Sequence, residues 1–348
     1  MSTSNQSNIA LYRKYRPEEF NDVLGQDHII QALEGALKQN NIAHAYLFSG
    51  SRGTGKTSVA RILARKVGCT DKDLYEIDAA SNRGIDDIRE LREAVHTLPF
   101  ESPYKVYIVD EVHMLTTPAF NALLKTLEEP PRHVLFVLAT TELHKLPETI
   151  VSRCQSFVFK KPSMPVLKEM VKKIAKKEGY KLEQSSADLI SLLSEGSFRD
   201  AQGILQKIIA SSKDKNISLK EVEKVTGAPG STLVNSIISA VEEKDLGKGL
   251  KAVHEASENN IDMKVFIKMI LQKVRAVLLL RYAPEMKKDI EEQFSSEDFA
   301  FIEEFSKDKK SSINSNVLRE LLDAYDLVGM SYISQLPLEL LLVKLLKE

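Results

Sequence analysis

Short apolar runs alternate with stretches of helical periodicity over about the first 160 residues. The runs cover 45–49 (AYLFS), 74–78 (LYEID), 105–110 (KVYIVD), 133–140 (HVLFVLAT) and 156–160 (SFVFK). Most are nearly continuous in Val, Ile, Leu, Phe and Tyr, as expected of strands covered on both faces of a parallel sheet. Between them lie patterns such as 28–39, where Ile29, Ile30, Leu33 and Leu37 return to one face of a helix. Strand–helix alternation of this kind predicts an α/β domain built on a parallel sheet.

The pattern changes after Lys161. The segment 161–165 (KPSMP) carries two prolines and reads as a hinge, and no strand is expected beyond it. Helical periodicity runs through 166–178, 186–195 and 200–211. Gly227, Pro229 and Gly230 punctuate 226–231, and helices resume from 232 to the closing 337–348. A chain of 348 residues exceeds what one core uses. The expected organisation is a polar, disordered tail at 1–10, an α/β domain at 11–161, a small helical domain at 162–227 and an all-helical domain at 228–348.

Composition narrows the class. With 43% apolar and 28% charged residues the chain reads as soluble and globular. The formal net charge is −1, so any nucleic-acid binding rests on local basic surface. No apolar run reaches the roughly 18 residues of a membrane span, and the first residues lack the apolar centre of a signal peptide. A cytoplasmic location is expected. Cys69 and Cys154 are the only cysteines; they are distant and form no CxxC, so neither a disulfide framework nor a zinc site is expected.

Gly50, Ser51, Arg52, Gly53, Thr54, Gly55, Lys56 and Thr57 spell G-x-x-x-x-G-K-[ST] between an apolar run and a helical pattern. Such glycines let backbone N–H groups close on phosphate oxygens at a helix N-terminus. Lys56 is then placed for the β- and γ-phosphates, and the Thr57 hydroxyl for Mg²⁺. The run 105–110 ends in Asp110, placed to hold Mg²⁺ directly or through water, and is followed by Glu111, placed to polarise an attacking water. His113 reads as packing or as support for its neighbours. The next run ends in Thr140 and Thr141, either of which is a candidate to sense the γ-phosphate; a plain capping hydroxyl is the alternative. Arg153, between Ser152 and Cys154, has no acidic residue among its near neighbours.

The segments YRKYRPEEFNDVLGQ, GSRGTGKT, EIDAAS, DEVHML, FNALLKTLEEPP, LPETIVSRC and GSFRDA occur in that order. Over residues 11–227 they resemble the gamma/tau subunits of the bacterial DNA polymerase III clamp loader, which are AAA+ ATPases. Beyond 227 only helical character and length agree with the family. The resemblance implies an α/β P-loop AAA+ domain, a small helical lid domain and an all-helical C-terminal collar that mediates assembly. It implies an ATP-hydrolysing motor that uses ATP and Mg²⁺ to load a sliding clamp of the beta type onto primed DNA. Delta- and delta-prime-type subunits and copies of the chain itself are the implied partners. No polymerase active site is expected, although such chains are classed with the polymerase holoenzyme.

Position by position, the resemblance puts Thr140 in the sensor of the γ-phosphate and makes Arg199 the second sensor. Arg153 becomes an arginine finger that reaches the ATP site of a neighbouring subunit. Arg83, Arg89 and Lys125 fall where the family tracks duplex phosphates; a solvated helix face is the alternative. Many relatives carry a four-cysteine zinc loop where this chain has only 66–73 (KVGCTDKD), so zinc is not expected. Two rival readings are a catalytically silent scaffold of the delta-prime kind and a branch-migration helicase.

Overall fold

The computed structural model describes residues 9–212, 214–308 and 311–347. Residues 1–8, most of the expected tail, lie outside the described residues. By their internal contacts the described residues divide into two compact units, one running to Val166 and including Ser194–Gly203, the other comprising Leu167–Leu193 and the chain from Ile204 onward.

The first unit is built on a five-stranded sheet of β1 (Ala45–Ser49), β2 (Leu74–Asp78), β3 (Lys105–Asp110), β4 (Val134–Thr140) and β5 (Gln155–Val158). The strand order is β2-β3-β4-β1-β5, and every pairing is parallel. Its helices are α1 (Leu11–Lys14), α2 (Asp27–Lys38), α3 (Lys56–Lys66), α4 (Ile85–Val95), α5 (Thr117–Glu128) and α6 (Glu148–Val151). Side chains alternate across the sheet. Tyr46, Phe48, Ile108 and Val137 face one core with Ile29 and Leu33 of α2 and Ile62 and Leu63 of α3. Leu47, Tyr107, Val109, Phe136 and Leu138 face the other with Ile88 and Leu91 of α4 and Leu123 and Leu127 of α5. Two buried faces are the physical reason why the central strands read as unbroken apolar runs.

One buried carboxylate closes the loop before β3. Asp73 Oδ1 accepts from the N–H of Phe100 (2.6 Å), and Oδ2 from those of Glu101 (3.0 Å) and Ser102 (2.9 Å). Burial pushes the Asp73 carboxyl up, but the N–H groups of Glu101 and Phe100, together with Ser102, outweigh it and hold it at about 2. A folded value below the ordinary 3.8 means that this contribution is complete above 3.8 and is lost as pH falls through about 2. Asp73→Asn is expected to lose about 3 kcal/mol at neutral pH. The gap to wild type should shrink across that acid window in urea unfolding at stepped pH; a gap independent of pH would refute the assignment.

In the second unit the helices are α7 (Met164–Lys177, whose first residues lie before its boundary), α8 (Gln184–Leu193), α9 (Phe198–Ser211), α10 (Leu219–Thr226), α11 (Ser231–Glu243), α12 (Leu246–Glu258), α13 (Met263–Tyr282), α14 (Lys287–Glu291), α15 (Ser296–Ser306), α16 (Ser315–Val328) and α17 (Leu336–Lys347). The first residues of α9, through Gly203, group with the α/β unit. A single core joins residues from Val234 to Leu342, centred on Phe266, Ile267, Ile270 and Val274 of the long helix α13. Contrary to expectation, two short strands occur here: β6 (Lys181–Leu182) and β7 (Asn216–Ile217) pair in parallel. Two residues are too few to leave a period-2 signal in the sequence.

Candidate nucleotide site

The phosphate loop leaves β1 at Ser49 and enters α3 at Lys56. Gly50, Gly53 and Gly55 hold φ of +144°, +73° and +103°, values that side-chain-bearing residues rarely adopt. At two of them space is also denied: a Cβ on Gly50 would lie 2.5 Å from the Phe159 carbonyl oxygen, and one on Gly53 would lie 2.0 Å from Ser197 Oγ. The Thr54 hydroxyl donates to the Ser51 carbonyl at 2.9 Å and pins the turn, while Arg52 projects from it, exposed. Lys56 is buried, and its Nζ donates to the carbonyls of Gly50 (2.7 Å) and Ser51 (2.9 Å). Burial pushes the Lys56 ammonium down, Glu111 and Asp110 push it up, and Arg199 pushes it down again.

Tertiary folding brings the other expected groups to this loop. The Thr57 hydroxyl donates to Asp110 Oδ2 at 2.8 Å, and Asp110 Oδ1 accepts from the Glu111 N–H at 3.0 Å. A hydroxyl and a carboxylate in contact at the C-terminal end of β3 form a hard-oxygen set that suits a divalent cation completed by phosphate and water. Glu111 sits at φ +49°, in the left-handed region where a residue with a Cβ is strained. Its Oε2 accepts from the Thr141 hydroxyl (2.9 Å) and the Thr141 N–H (3.2 Å).

The two threonines separate here. Thr140 has no exposed surface; its hydroxyl lies 3.0 Å from His113 Nδ1 and accepts from the Glu142 N–H at 3.0 Å. Thr140 is thus packed against His113, and Thr141 is the hydroxyl that reaches Glu111.

Arg199, in the first turn of α9, also lies at the loop. The Phe198 N–H donates to the Gly53 carbonyl at 2.9 Å, and the Arg199 guanidinium stands 5.6 Å from the centre of the Tyr12 ring. Arg16 adds to this positive field: its value is lowered by burial first, then by Arg61, Arg199 and Arg13, with Glu76 opposing. A concentration of cations beside a phosphate loop favours an anionic ligand.

Arg153 is elsewhere. It precedes β5, where Gln155 pairs with Tyr46, whereas the phosphate loop follows Ser49, which pairs with Val158. The sheet thus puts roughly 13 Å or more of strand between Arg153 and its own chain's loop. Its near neighbours in sequence hold no acidic residue, but the fold supplies one: Arg153 pairs with Glu128 at 2.5 Å, and its NH1 donates to the Thr149 carbonyl at 2.7 Å. Glu128 ends α5, distant in sequence, so local reading missed it. The pair is half-exposed, and such pairs are worth about 0–1 kcal/mol.

Arg83, Arg89 and Lys125 are all exposed, on the loop before α4, on α4 and on α5. Arg89 is paired with Asp86 at 3.1 Å. Burial pushes Cys69 up to about 11 and Cys154 up to about 12, so both remain thiols at neutral pH. Among the described residues, no group of three or more His, Cys, Asp or Glu side chains is placed to hold a metal by itself, and no helix is long and apolar enough to cross a membrane.

Comparison with known proteins now decides the family. The family described as "DNA polymerase III, delta subunit" matches residues 25–83 and 70–163. The gamma subunit of DNA polymerase III from Buchnera aphidicola is 37% identical over 298 residues, covering 80% of each chain. The chain belongs to the DNA polymerase III gamma/tau family. The tau subunit of Bacillus subtilis is 38% identical over 335 residues, 90% of this chain and 58% of that one. Against the gamma/tau subunit of Mycoplasma pneumoniae, at 40% identity, the match spans 41% of the relative. The chain thus spans about half the length of several gamma/tau relatives. Among solved structures, the RuvB Holliday junction branch migration motor of Thermotoga maritima superposes with a TM-score of 0.53 at 20% identity, over 66% of this chain and 80% of that one. That likeness shows a shared fold, the parallel sheet flanked by helices.

Proposed function

We propose that this gamma/tau chain is the ATP-hydrolysing motor subunit of a replicative clamp loader. The observation that carries the reading is the meeting of Thr57 with Asp110 beside Lys56 and Glu111, a complete set for binding and hydrolysing a nucleoside triphosphate. Lys56 leaves its two carbonyls for the β- and γ-phosphates. Thr57 and Asp110 would hold Mg²⁺, which would supply positive charge beside the phosphates. Glu111 accepts a proton from the attacking water, Thr141 takes the sensing role first expected of Thr140, and Arg199 closes on the nucleotide. Arg153, too far from its own loop, serves the site of a neighbouring copy.

The assembly contains delta- and delta-prime-type subunits and further copies of the chain, in the cytoplasm. It opens a sliding clamp and closes it on primed DNA, whose phosphates meet Arg83, Arg89 and Lys125. The chain is organised as an AAA+ domain (11–161), a lid (162–227) and a collar (228–348). A silent scaffold of the delta-prime kind is disfavoured because such a chain needs none of the Thr57, Asp110 and Glu111 geometry. The test is ATP turnover by the chain with its cognate partner subunits. Primed DNA and clamp added together should raise it at least tenfold, roughly 1.4 kcal/mol of barrier. Turnover indifferent to both would leave an ATPase without a clamp-loading task.

A further inference from the structure

Glu111 is anchored from two sides, and only one of them involves Thr141. His113, which is 8% exposed, places Nδ1 3.4 Å from Glu111 Oε2 and 3.0 Å from Thr140 Oγ1. The same Thr140 oxygen already accepts from the Glu142 N–H, and the same Glu111 oxygen already accepts both donors of Thr141. An ionised carboxylate has lone pairs only, so an unprotonated Nδ1 facing Oε2 would set lone pair against lone pair. With the proton on Nδ1 the ring donates to the Thr140 oxygen at 3.0 Å and turns its N–H edge toward Oε2 at 3.4 Å, a charge–dipole contact and not a hydrogen bond. Among the described residues no hydrogen bond reaches Oε1 of Glu111.

From this geometry we infer that His113 is a positioning residue for ATP hydrolysis, an inference that rests on the ATPase reading above. Together with the two Thr141 donors it holds Oε2 in place, leaving Oε1 to accept the proton of the attacking water. The need for such an anchor is visible in the backbone. Glu111 sits at φ +49°, a conformation that persists only where surrounding contacts over-determine it. Thr140, wholly buried, is the fixed post against which the imidazole is set. A general base displaced by about 1 Å loses on the order of 100-fold in rate while ground-state binding is untouched. His113 is thus expected to act on kcat and not on nucleotide affinity.

Two amide substitutions separate the ring nitrogens. His113→Asn puts an amide N–H where Nδ1–H stands, whereas His113→Gln puts it near the position of Nε2. The full chain, assembled with its cognate partner subunits, would be assayed for ATP turnover, for binding of a non-hydrolysable ATP analogue and for thermal unfolding. His113→Phe should lower kcat by about 10- to 100-fold with analogue affinity unchanged. His113→Asn should recover most of the loss, and His113→Gln should not. Equal rates for the Asn and Gln variants, an undiminished Phe variant, or a loss of kcat that tracks lost affinity or lower thermal stability would each overturn the inference. Glu111→Gln serves as the control: if it hydrolyses ATP like wild type, the ATPase assignment of Glu111 has failed. If it is inactive while His113→Phe is normal, only the role of His113 has.

Discussion

Chains carrying Glu111→Gln and chains carrying Arg153→Ala are expected to be inactive alone and to regain ATP turnover when mixed, to about one quarter of the wild-type rate if they assemble at random. The reason is the parallel sheet. Glu111 follows the C-terminal end of β3, on the side of the phosphate loop, whereas Arg153 precedes the N-terminal end of β5. No rotamer of one side chain spans a strand, so Arg153 does not reach its own chain's loop, and under the proposed function it serves phosphates held by another chain. In a mixed assembly, some junctions pair an intact Glu111 with an intact Arg153. Loss of an arginine finger costs about 10³–10⁵ in rate, or about 4–7 kcal/mol of barrier, so recovery stands far above the background of either variant.

The pairing of Arg153 with Glu128 does not oppose this. A half-exposed ion pair is worth about 0–1 kcal/mol, little against a multiply charged phosphate. A mixture that stays inactive, although mixed assemblies are verified by size and composition, would give Arg153 a structural role, paired with Glu128.

Asp298→Ala is expected to destabilise the helical unit by about 3–5 kcal/mol, far more than loss of a surface ion pair. Lys273 lies in the middle of α13 with 3% of its side chain exposed. Its Nζ donates to Asp298 Oδ1 at 2.5 Å, to Ser231 Oγ at 2.7 Å and to Asn235 Oδ1 at 2.7 Å, tying α13 to α15 and α11. Ser231 also donates to Asp298. Burial pushes the Lys273 ammonium down from its ordinary value, and Asp298 pushes it back up. Removing the carboxylate leaves a buried cation with only neutral partners.

The sign with pH follows from that direction. A lysine whose folded value is lowered binds fewer protons folded than unfolded, so the Asp298→Ala variant regains stability as pH rises toward 10.5. Lys273→Met combined with Asp298→Ala should recover most of the loss, because an apolar pair of similar volume avoids desolvation altogether. The chain has no tryptophan, so urea unfolding is followed by circular dichroism. A double variant as unstable as the single one would mean that the lost stability is packing and not charge.

The linear pattern by itself determined the α/β architecture, the five central strands and the phosphate loop. Each of these is a local property. A strand buried on both faces is a continuous apolar run, and the loop is eight consecutive residues whose glycines must take positive φ. Asp110 and Glu111 were legible for the same reason, being the end of one such run. Only the tertiary structure gave Thr140 and Thr141 different partners, His113 for the one and Glu111 for the other. Thr140 is the last residue of β4 and is buried, whereas Thr141 lies just past the strand, and what each meets there depends on the elements packed around that end. It also supplied Glu128 as the partner of Arg153, seated Ser197 against Gly53, and brought His113 to the carboxylate it supports. These contacts join residues on different elements, or across a turn of unusual backbone, and contacts of that kind leave no periodic trace along a chain.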